Sequence, residues 1–246
     1  MGGDGTIIRA AGLAVLHANP ILWINMGRLG FMTELEANDA LDKVPVYMEG
    51  TSRVEERCML QAAVLPGNGQ AGHERPQVVS SETLPDSGGY HALNDAVVGR
   101  GAMSRVVNIG AYIDGAYLTD FRADAVMVST ATGSTGYNLS VGGPIVAPQA
   151  GEIILKAVAP HVGMAPALVL PSSSVVDLTV ETDHQVMLSV AGHLDRELAP
   201  GDTVRIQRSS HKALFLRAHP YTEFYATLTR RLGFGGGQST IRAIQY

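Results

Sequence analysis

The chain has 246 residues, 46% of them hydrophobic and 17% charged, with a formal net charge of -5 at pH 7. This is apolar material enough for one large or two small cores, and the acidic balance gives no electrostatic reason to expect a nucleic-acid partner, whose binding normally needs a basic stripe. Cys58, the single cysteine, excludes an internal disulfide and a cysteine-rich zinc site, and no apolar run reaches membrane-spanning length.

No cationic leader precedes an apolar core, so the sequence reads as a cytoplasmic protein without a membrane partner. Cys58 lies in an alternating run and reads as a small buried hydrophobe in a reducing compartment. None of the eight histidines has metal-ligand spacing.

The first notable stretch is Gly2-Gly3-Asp4-Gly5-Thr6. Glycines let the backbone approach a ligand closely because no Cβ stands in the way. Apolar periodicity from Ile7 predicts a helix over Thr6 to His17, ended by Asn19-Pro20. Free N–H groups at the start of that helix favour a phosphate. A carboxylate repels phosphate, so Asp4 is either a helix cap or a group acting on a proton or a metal nearby; a plain capping turn is compatible with the pattern. Such a loop normally follows a strand, and only Met1 precedes it here.

Ile21-Leu22-Trp23-Ile24-Asn25 predicts a strand buried on both faces of a parallel sheet. Met26-Gly27-Arg28-Leu29-Gly30-Phe31 follows as a loop at the strand's carboxyl end, where open α/β sheets bind ligands. Glu34, Glu36, Asp39 and Asp42 mark a short solvated helix ending near Lys43.

After Pro45 the texture becomes all-β. Val46 to Glu49, Arg53 to Leu65, Val106 to Ile113, Ala116 to Phe121, Ala125 to Val128, Val175 to Glu181, Val186 to Val190, Thr203 to Gln207 and Ala213 to Arg217 are β-branched-rich runs divided by turn residues. They predict a sandwich of about nine strands. Residues 66–90 are polar and breaker-rich and read as a mobile hairpin loop. Tyr221 to Leu232 is again helical, and its stripe of Tyr221, Phe224, Tyr225, Leu228 and Leu232 is expected to bury against the N-terminal segment; the glycine-rich remainder reads as frayed.

Four islands carry chemistry: the opening glycine loop; the Asn25 to Phe31 loop; Asn94-Asp95; and Asp124 with Ser129 through Tyr137, backed by Gly142-Gly143-Pro144. The hydroxyls of Thr130, Thr132, Ser134 and Thr135 both donate and accept, and Tyr137 adds an aromatic face, a set suited to a nucleoside. A hydroxyl-rich cap for a following helix fits the same residues. An amide beside a carboxylate, as in Asn94-Asp95, grips a vicinal diol, although Asn-Asp is also a common turn dipeptide.

In order and at similar separations, these islands and the Arg231-Leu232-Gly233-Phe234 tail resemble the NAD kinase family over nearly the whole chain. The opening motif is shared with diacylglycerol-type lipid kinases; the second and fourth islands together are specific to NAD kinases. The resemblance implies a truncated Rossmann-like α/β domain, residues 1–44 and 218–246, with a β-sandwich domain, residues 45–217, and a C-terminal helix returning to the first. It implies transfer of the γ-phosphate of ATP, or of polyphosphate, to the 2′-hydroxyl of the adenosine ribose of NAD, with Mg²⁺ or another divalent cation, in a homo-oligomer. A lipid kinase and a catalytically silent nucleotide-binding fragment are the alternatives.

Carried onto this sequence, the resemblance makes Asp4 the base or orienter for the hydroxyl, with Gly2, Gly3, Gly5 and Thr6 at the donor phosphates and no metal ligand among the side chains. Asp4, Gly5, Phe31, Asn94, Asp95, Asp124, Thr132, Thr135, Gly136 and Tyr137 would contact NAD: Phe31, Thr132, Thr135, Gly136 and Tyr137 around adenosine, Asn94 and Asp95 at the nicotinamide-side ribose, and Asp124 at the nicotinamide end. The chain departs from the family pattern in lacking the strand-helix units that usually precede the first motif, which implies an N-terminally shortened form. Ala191-Gly192-His193 replaces a frequent Asp-Gly-Gln, Gly136 a usual Ala, Ala125 a usual Gly, and Asp95 a frequent Glu.

Overall fold

The computed structural model describes residues 1–26, 30–50, 52–67, 84, 89–101, 105–161, 163 and 165–233. Gly27, Arg28 and Leu29 of the second island, most of the 66–90 stretch, and the tail from Phe234 lie outside them.

Helix α1 spans Asp4–Ala14 and closes in a 3-10 turn, Val15–His17. It buries Ile7, Ala11 and Val15 against Trp23, Met32, Met59, Leu93, Ala213 and Phe215, so one small core joins the N-terminal segment to the sandwich. Strand β1, Ile24–Asn25, pairs in parallel with β2, Leu35–Glu36. The predicted five-residue strand is shorter because its residues are shared between sheets: Ile21 bridges in parallel to Phe215, and only Ile24 and Asn25 belong to the small parallel sheet. Gly2 forms a parallel bridge to Asn25, its N–H donating to the Ile24 carbonyl (3.2 Å) and its carbonyl accepting from the Met26 N–H (3.2 Å).

Helix α2, Ala40–Met48, follows a 3-10 turn over Ala37–Asp39. It runs through Pro45, where the sequence pattern predicts an end near Lys43 and a strand from Val46. A proline costs a helix one internal hydrogen bond. Here Tyr47, 5% exposed, anchors the last turn by donating to Glu34 Oε1 at 2.7 Å. Glu34 is accordingly a buried ion partner and not part of a solvated helix.

The remaining strands are β3 (Arg53–Leu65), β4 (Tyr90–Ala92), β5 (Asp95–Arg100), β6 (Val107–Ile113), β7 (Ala116–Ala123), β8 (Ala125–Thr130), β9 (Ile153–Val158), β10 (Leu168–Leu170), β11 (Val175–Val180), β12 (Val186–Val190), β13 (Leu194–Leu198) and β14 (Thr203–Arg217). They form two six-stranded antiparallel sheets, ordered β10-β9-β8-β5-β12-β13 and β4-β3-β14-β11-β6-β7. Side chains from both, among them Leu60, Ile109, Val176 and Val204 facing Val98, Val126, Leu155 and Leu188, fill the core between them. This is the expected α/β segment joined to a β-sandwich, with more strands than predicted. The two runs at Thr203 and Ala213 are one strand with an irregularity between Arg208 and Lys212.

Helix α3, Tyr137–Ser140, is a single turn after the fourth island. Helix α4, Glu223–Leu232, buries Thr227 and Leu228, while Tyr221 and Tyr225 of the expected stripe are 51% and 58% exposed. The helix nevertheless returns to the N-terminal segment: the Arg231 guanidinium lies 4.4 Å from the Phe31 ring centroid. Tyr221 is covered on one face by Arg53, 3.8 Å from its centroid, a cation–π contact in place of apolar burial.

Candidate functional site

Asp4 opens α1, with Gly3 as its N-cap and the Gly3 carbonyl accepting from the Thr6 N–H at 2.9 Å. Gly2 adopts φ +154°, and a Cβ there would sit 2.5 Å from Thr6 Oγ1, so this glycine is required by the fold. Gly3 and Gly5 differ: a Cβ at either would meet no atom of the described residues within 4 Å. Together with Thr6, Arg9, Ala191, Gly192 and His193 they line an open cleft of about 330 Å³, within the range of small-ligand sites.

The turn on the far side of this cleft is joined to the third island. The Ala191 N–H donates to the Asp95 carbonyl at 2.9 Å, where β12 and β5 pair. Asp95 is 7% exposed, and its carboxylate has no hydrogen-bond partner among the described residues. Burial pushes its carboxyl up to about 6, a value at which the group is still largely ionised at neutral pH. A buried, unpaired carboxylate is destabilising in a fold and is a mark of a site that a ligand completes.

The fourth island wraps onto the same point. The Asn94 carbonyl accepts from the Thr130 N–H (2.8 Å) and from Ser129 Oγ (3.1 Å), and the Asn94 side-chain Oδ1 is buried without a partner among the described residues. Thr130 Oγ1 donates to the Leu93 carbonyl (2.6 Å) and accepts from the Gly133 N–H (3.0 Å), which sets the 3-10 turn Gly133–Thr135 against Asn94. Ser134 Oγ donates to the Ala131 carbonyl and accepts from the Val146 N–H, and Asn138 Nδ2 donates to the carbonyls of Ser134 and Pro144, so these two residues serve the loop's own shape. Thr135 Oγ1 donates to the Thr132 carbonyl at 3.3 Å. Gly136 is half-buried, and a Cβ there would lie 3.3 Å from the Gly133 carbonyl oxygen and 3.5 Å from Asn94 Nδ2.

The other predicted residues stand in two further clefts. Phe31 faces Thr33, Glu34, Arg53, Arg57, Arg217 and Phe224 in a charged cleft under α4. Asp124 and Tyr137 share a third cleft with Arg100, Ala125, Met187 and Ser189. Asp124 is paired there with Arg100 Nη2 (3.1 Å) and lies 3.6 Å from His161 Nε2. The structure therefore brings Gly3, Gly5 and Thr6 to one cleft and sets the Thr130–Gly136 turn against Asn94, while Asp124 and Tyr137 line a cleft that also includes Val97, two residues along β5 from Asp95.

Sequence reasoning passed over Arg9, Arg100 and the buried charges of β3 and β14. Arg57 is 5% exposed, and burial lowers its guanidinium to about 10 despite the adjacent Glu55. The signal was present: Arg53, Glu55 and Arg57 alternate along β3, and their face is the inward one while Val54 is 50% exposed. Charge on the buried face of a strand reverses the usual alternation.

Comparison with known proteins is consistent along the chain. Residues 93–218 match the ATP-NAD kinase C-terminal domain, and residues 1–51 match the ATP-NAD kinase N-terminal domain. An NAD kinase of Dehalococcoides mccartyi (strain CBDB1) is 41% identical over 231 residues, covering 94% of this chain and 76% of that protein. The crystal structure of yeast NADH kinase complexed with NADH superposes with a TM-score of 0.81 at 25% identity, covering 97% of this chain and 66% of that one. An NAD kinase from Archaeoglobus fulgidus in complex with ATP shares the fold, with a TM-score of 0.71 at 23% identity over 93% of this chain and 80% of that one.

Proposed function

The chain belongs to the NAD kinase family, and from that premise we propose that it transfers the γ-phosphate of ATP, or a phosphate of polyphosphate, to the 2′-hydroxyl of the adenosine ribose of NAD, giving NADP. The observation that carries this reading is the buried Asp95 carboxylate, which has no hydrogen-bond partner among the described residues, on a residue whose backbone carbonyl accepts from the Ala191 N–H beside the cleft where Gly3 and Gly5 leave open space. An ionised carboxylate accepts hydrogen bonds from sugar hydroxyls, and open glycines at a helix start donate their N–H groups to phosphate oxygens.

In this reading Gly2, Gly3, Gly5 and Thr6 receive the donor phosphates and Asp4 orients or deprotonates the acceptor hydroxyl. Asn94 and Asp95 hold the ribose hydroxyls on the nicotinamide side. Phe31, Thr132, Thr135, Gly136 and Tyr137 surround adenosine, and Asp124 meets the nicotinamide end. Phosphoryl transfer needs mostly alignment and charge neutralisation, and a carboxylate taking the proton late adds about 10²–10⁴-fold. Mg²⁺ or another divalent cation would arrive on the donor phosphates and neutralise their charge. A dinucleotide substrate and a single buried thiol fit a cytoplasmic enzyme, and we read it as a homo-oligomer, which light scattering at micromolar concentration tests.

Purified protein with Mg²⁺, NAD and either ATP or polyphosphate should form NADP. Asp4→Asn should lower kcat at least about 10²-fold with modest change in NAD affinity. Undiminished turnover in Asp4→Asn removes Asp4 from the chemistry, and tight NAD binding without turnover in the unaltered protein favours a silent nucleotide-binding role.

A further inference from the structure

We infer that Arg57 is a positioning residue that fixes the Thr132 hydroxyl as a hydrogen-bond donor toward the bound nucleotide; this rests on the reading of Thr132 as a substrate contact. Burying a guanidinium is expensive unless each of its edges finds a partner. Arg57 Nε donates to Glu55 Oε1 at 2.5 Å, and Nη2 closes on the same oxygen. The remaining edge reaches across to the fourth island, Nη1 donating to Thr132 Oγ1 at 3.3 Å.

A guanidinium carries donors and no acceptor. Thr132 Oγ1 must therefore accept in this contact, and its own proton is turned away from Arg57. Thr132 Oγ1 has no second partner among the described residues, so that proton is available to an acceptor atom of the nucleotide. Without Arg57 the hydroxyl could rotate and present a lone pair as readily as its proton.

The surrounding charges hold Arg57 in this pose. Glu55 also accepts from Arg53 Nη1 (3.0 Å) and lies 3.5 Å from Arg217 Nε, while Arg217 Nη1 donates to Glu34 Oε2 (2.9 Å). Glu34 in turn accepts from Tyr47, so α2, the segment after Phe31, β14 and β3 all brace one guanidinium. A purely structural role, neutralising Glu55, could be met by a lysine. A lysine is a compact point charge and cannot hold Glu55 and Thr132 in a fixed fork. The choice between the two roles is therefore measurable.

Steady-state kinetics on Arg57→Lys, Thr132→Val and the double variant test this. Arg57→Lys should raise KM for NAD about tenfold, the worth of one oriented hydrogen bond, with the loss falling on KM and not on kcat. Thr132→Val should raise KM by a similar factor, and the double variant should be no worse than Thr132→Val alone. Should Arg57→Lys not fold, Arg57→Gln combined with Glu55→Gln, which removes both charges, carries the same expectation. An unchanged KM in the folded Arg57 variant, or factors that multiply in the double variant, overturns the inference. Failure of the unaltered protein to form NADP would instead sink the proposed function, so the two failures are distinguishable.

Discussion

Asn94 and Gly133 approach so closely that a single methyl group would not fit between them: a Cβ on Gly133 would lie 2.2 Å from the Asn94 carbonyl oxygen and 2.5 Å from Ser129 Oγ. That contact joins the two islands that would hold the dinucleotide. Gly133→Ala must push the 3-10 turn off Asn94 or strain both, at about 1–3 kcal/mol by the usual cost of overpacking. For a chain of this size that lowers Tm by roughly 2–12 °C. The expected result is a loss of both thermal stability and NAD affinity, read by calorimetry; a stable Gly133→Ala protein with normal affinity would show that the loop has another way to sit.

Gly3 and Gly5 present the opposite situation, since none of the described residues occupies the space a side chain would take. Gly12, also in α1, is equally open and serves as a control outside the site. Alanine stabilises a helix interior over glycine by about 0.5–1 kcal/mol. Gly12→Ala should raise Tm slightly and leave turnover alone, whereas Gly5→Ala should keep or raise Tm while weakening activity, because its methyl enters the phosphate space. Equal activity in both variants would mean that the glycine loop does not touch the donor.

What the sequence made legible follows from how local each signal is. β3 could be read to the residue because Arg53–Leu65 is a long run bounded by turn residues. β5 was hidden because Asn94-Asp95 reads as a turn, although Asp95 already pairs with Ser129. Val46 to Met48 has strand composition and is helical because Tyr47 finds Glu34, 13 residues back. The four islands were visible as residue types at loops, yet nothing local tells that Arg57 serves Thr132, 75 residues away. Nor could spacing reveal that Asp124 and Tyr137 line one cleft with Arg100 and Ser189. Propensity and periodicity carry neighbours along the chain; partners across a sandwich are set by register.

Asp95 gives a pH-dependent prediction. Burial raises its carboxyl from 3.8 to about 6. The folded value exceeds the unfolded one, so ionising Asp95 opposes folding: the penalty is absent below about pH 4, grows as pH rises toward 6 and is complete above it. Asp95→Asn should therefore stabilise the protein at pH 8 by at most about 2–3 kcal/mol, with the gain fading toward pH 4. In the proposed role the ionised form accepts from ribose hydroxyls, so kcat/KM of the unaltered enzyme should fall as pH drops through about 6, and Asp95→Asn should lose that limb along with most of its activity. Thermal scans and rate profiles over pH 4.5–8 check both parts.

Glu34 should behave with the opposite sign. Burial alone would push its carboxyl up, but hydrogen bonds from Tyr47 Oη (2.7 Å), the Ala218 N–H (2.6 Å) and Arg217 Nη1 (2.9 Å), with the Arg217 charge, hold it below 4.5. A carboxylate whose folded value is depressed contributes stability above its unfolded value and loses it as pH falls through the lowered one. Glu34→Gln leaves Arg217, which is 6% exposed, with Glu55 at 3.5 Å as its remaining ionic partner among the described residues. Removing one partner from a buried pair costs about 3–5 kcal/mol, or roughly 6–20 °C in Tm at neutral pH. The deficit should shrink as pH drops below 4.5, where Glu34 itself becomes protonated. Plotted against pH, the stability difference of Glu34→Gln should therefore close in acid from below while that of Asp95→Asn closes from above. Parallel curves would mean that burial, and not the partners of Glu34, governs its proton.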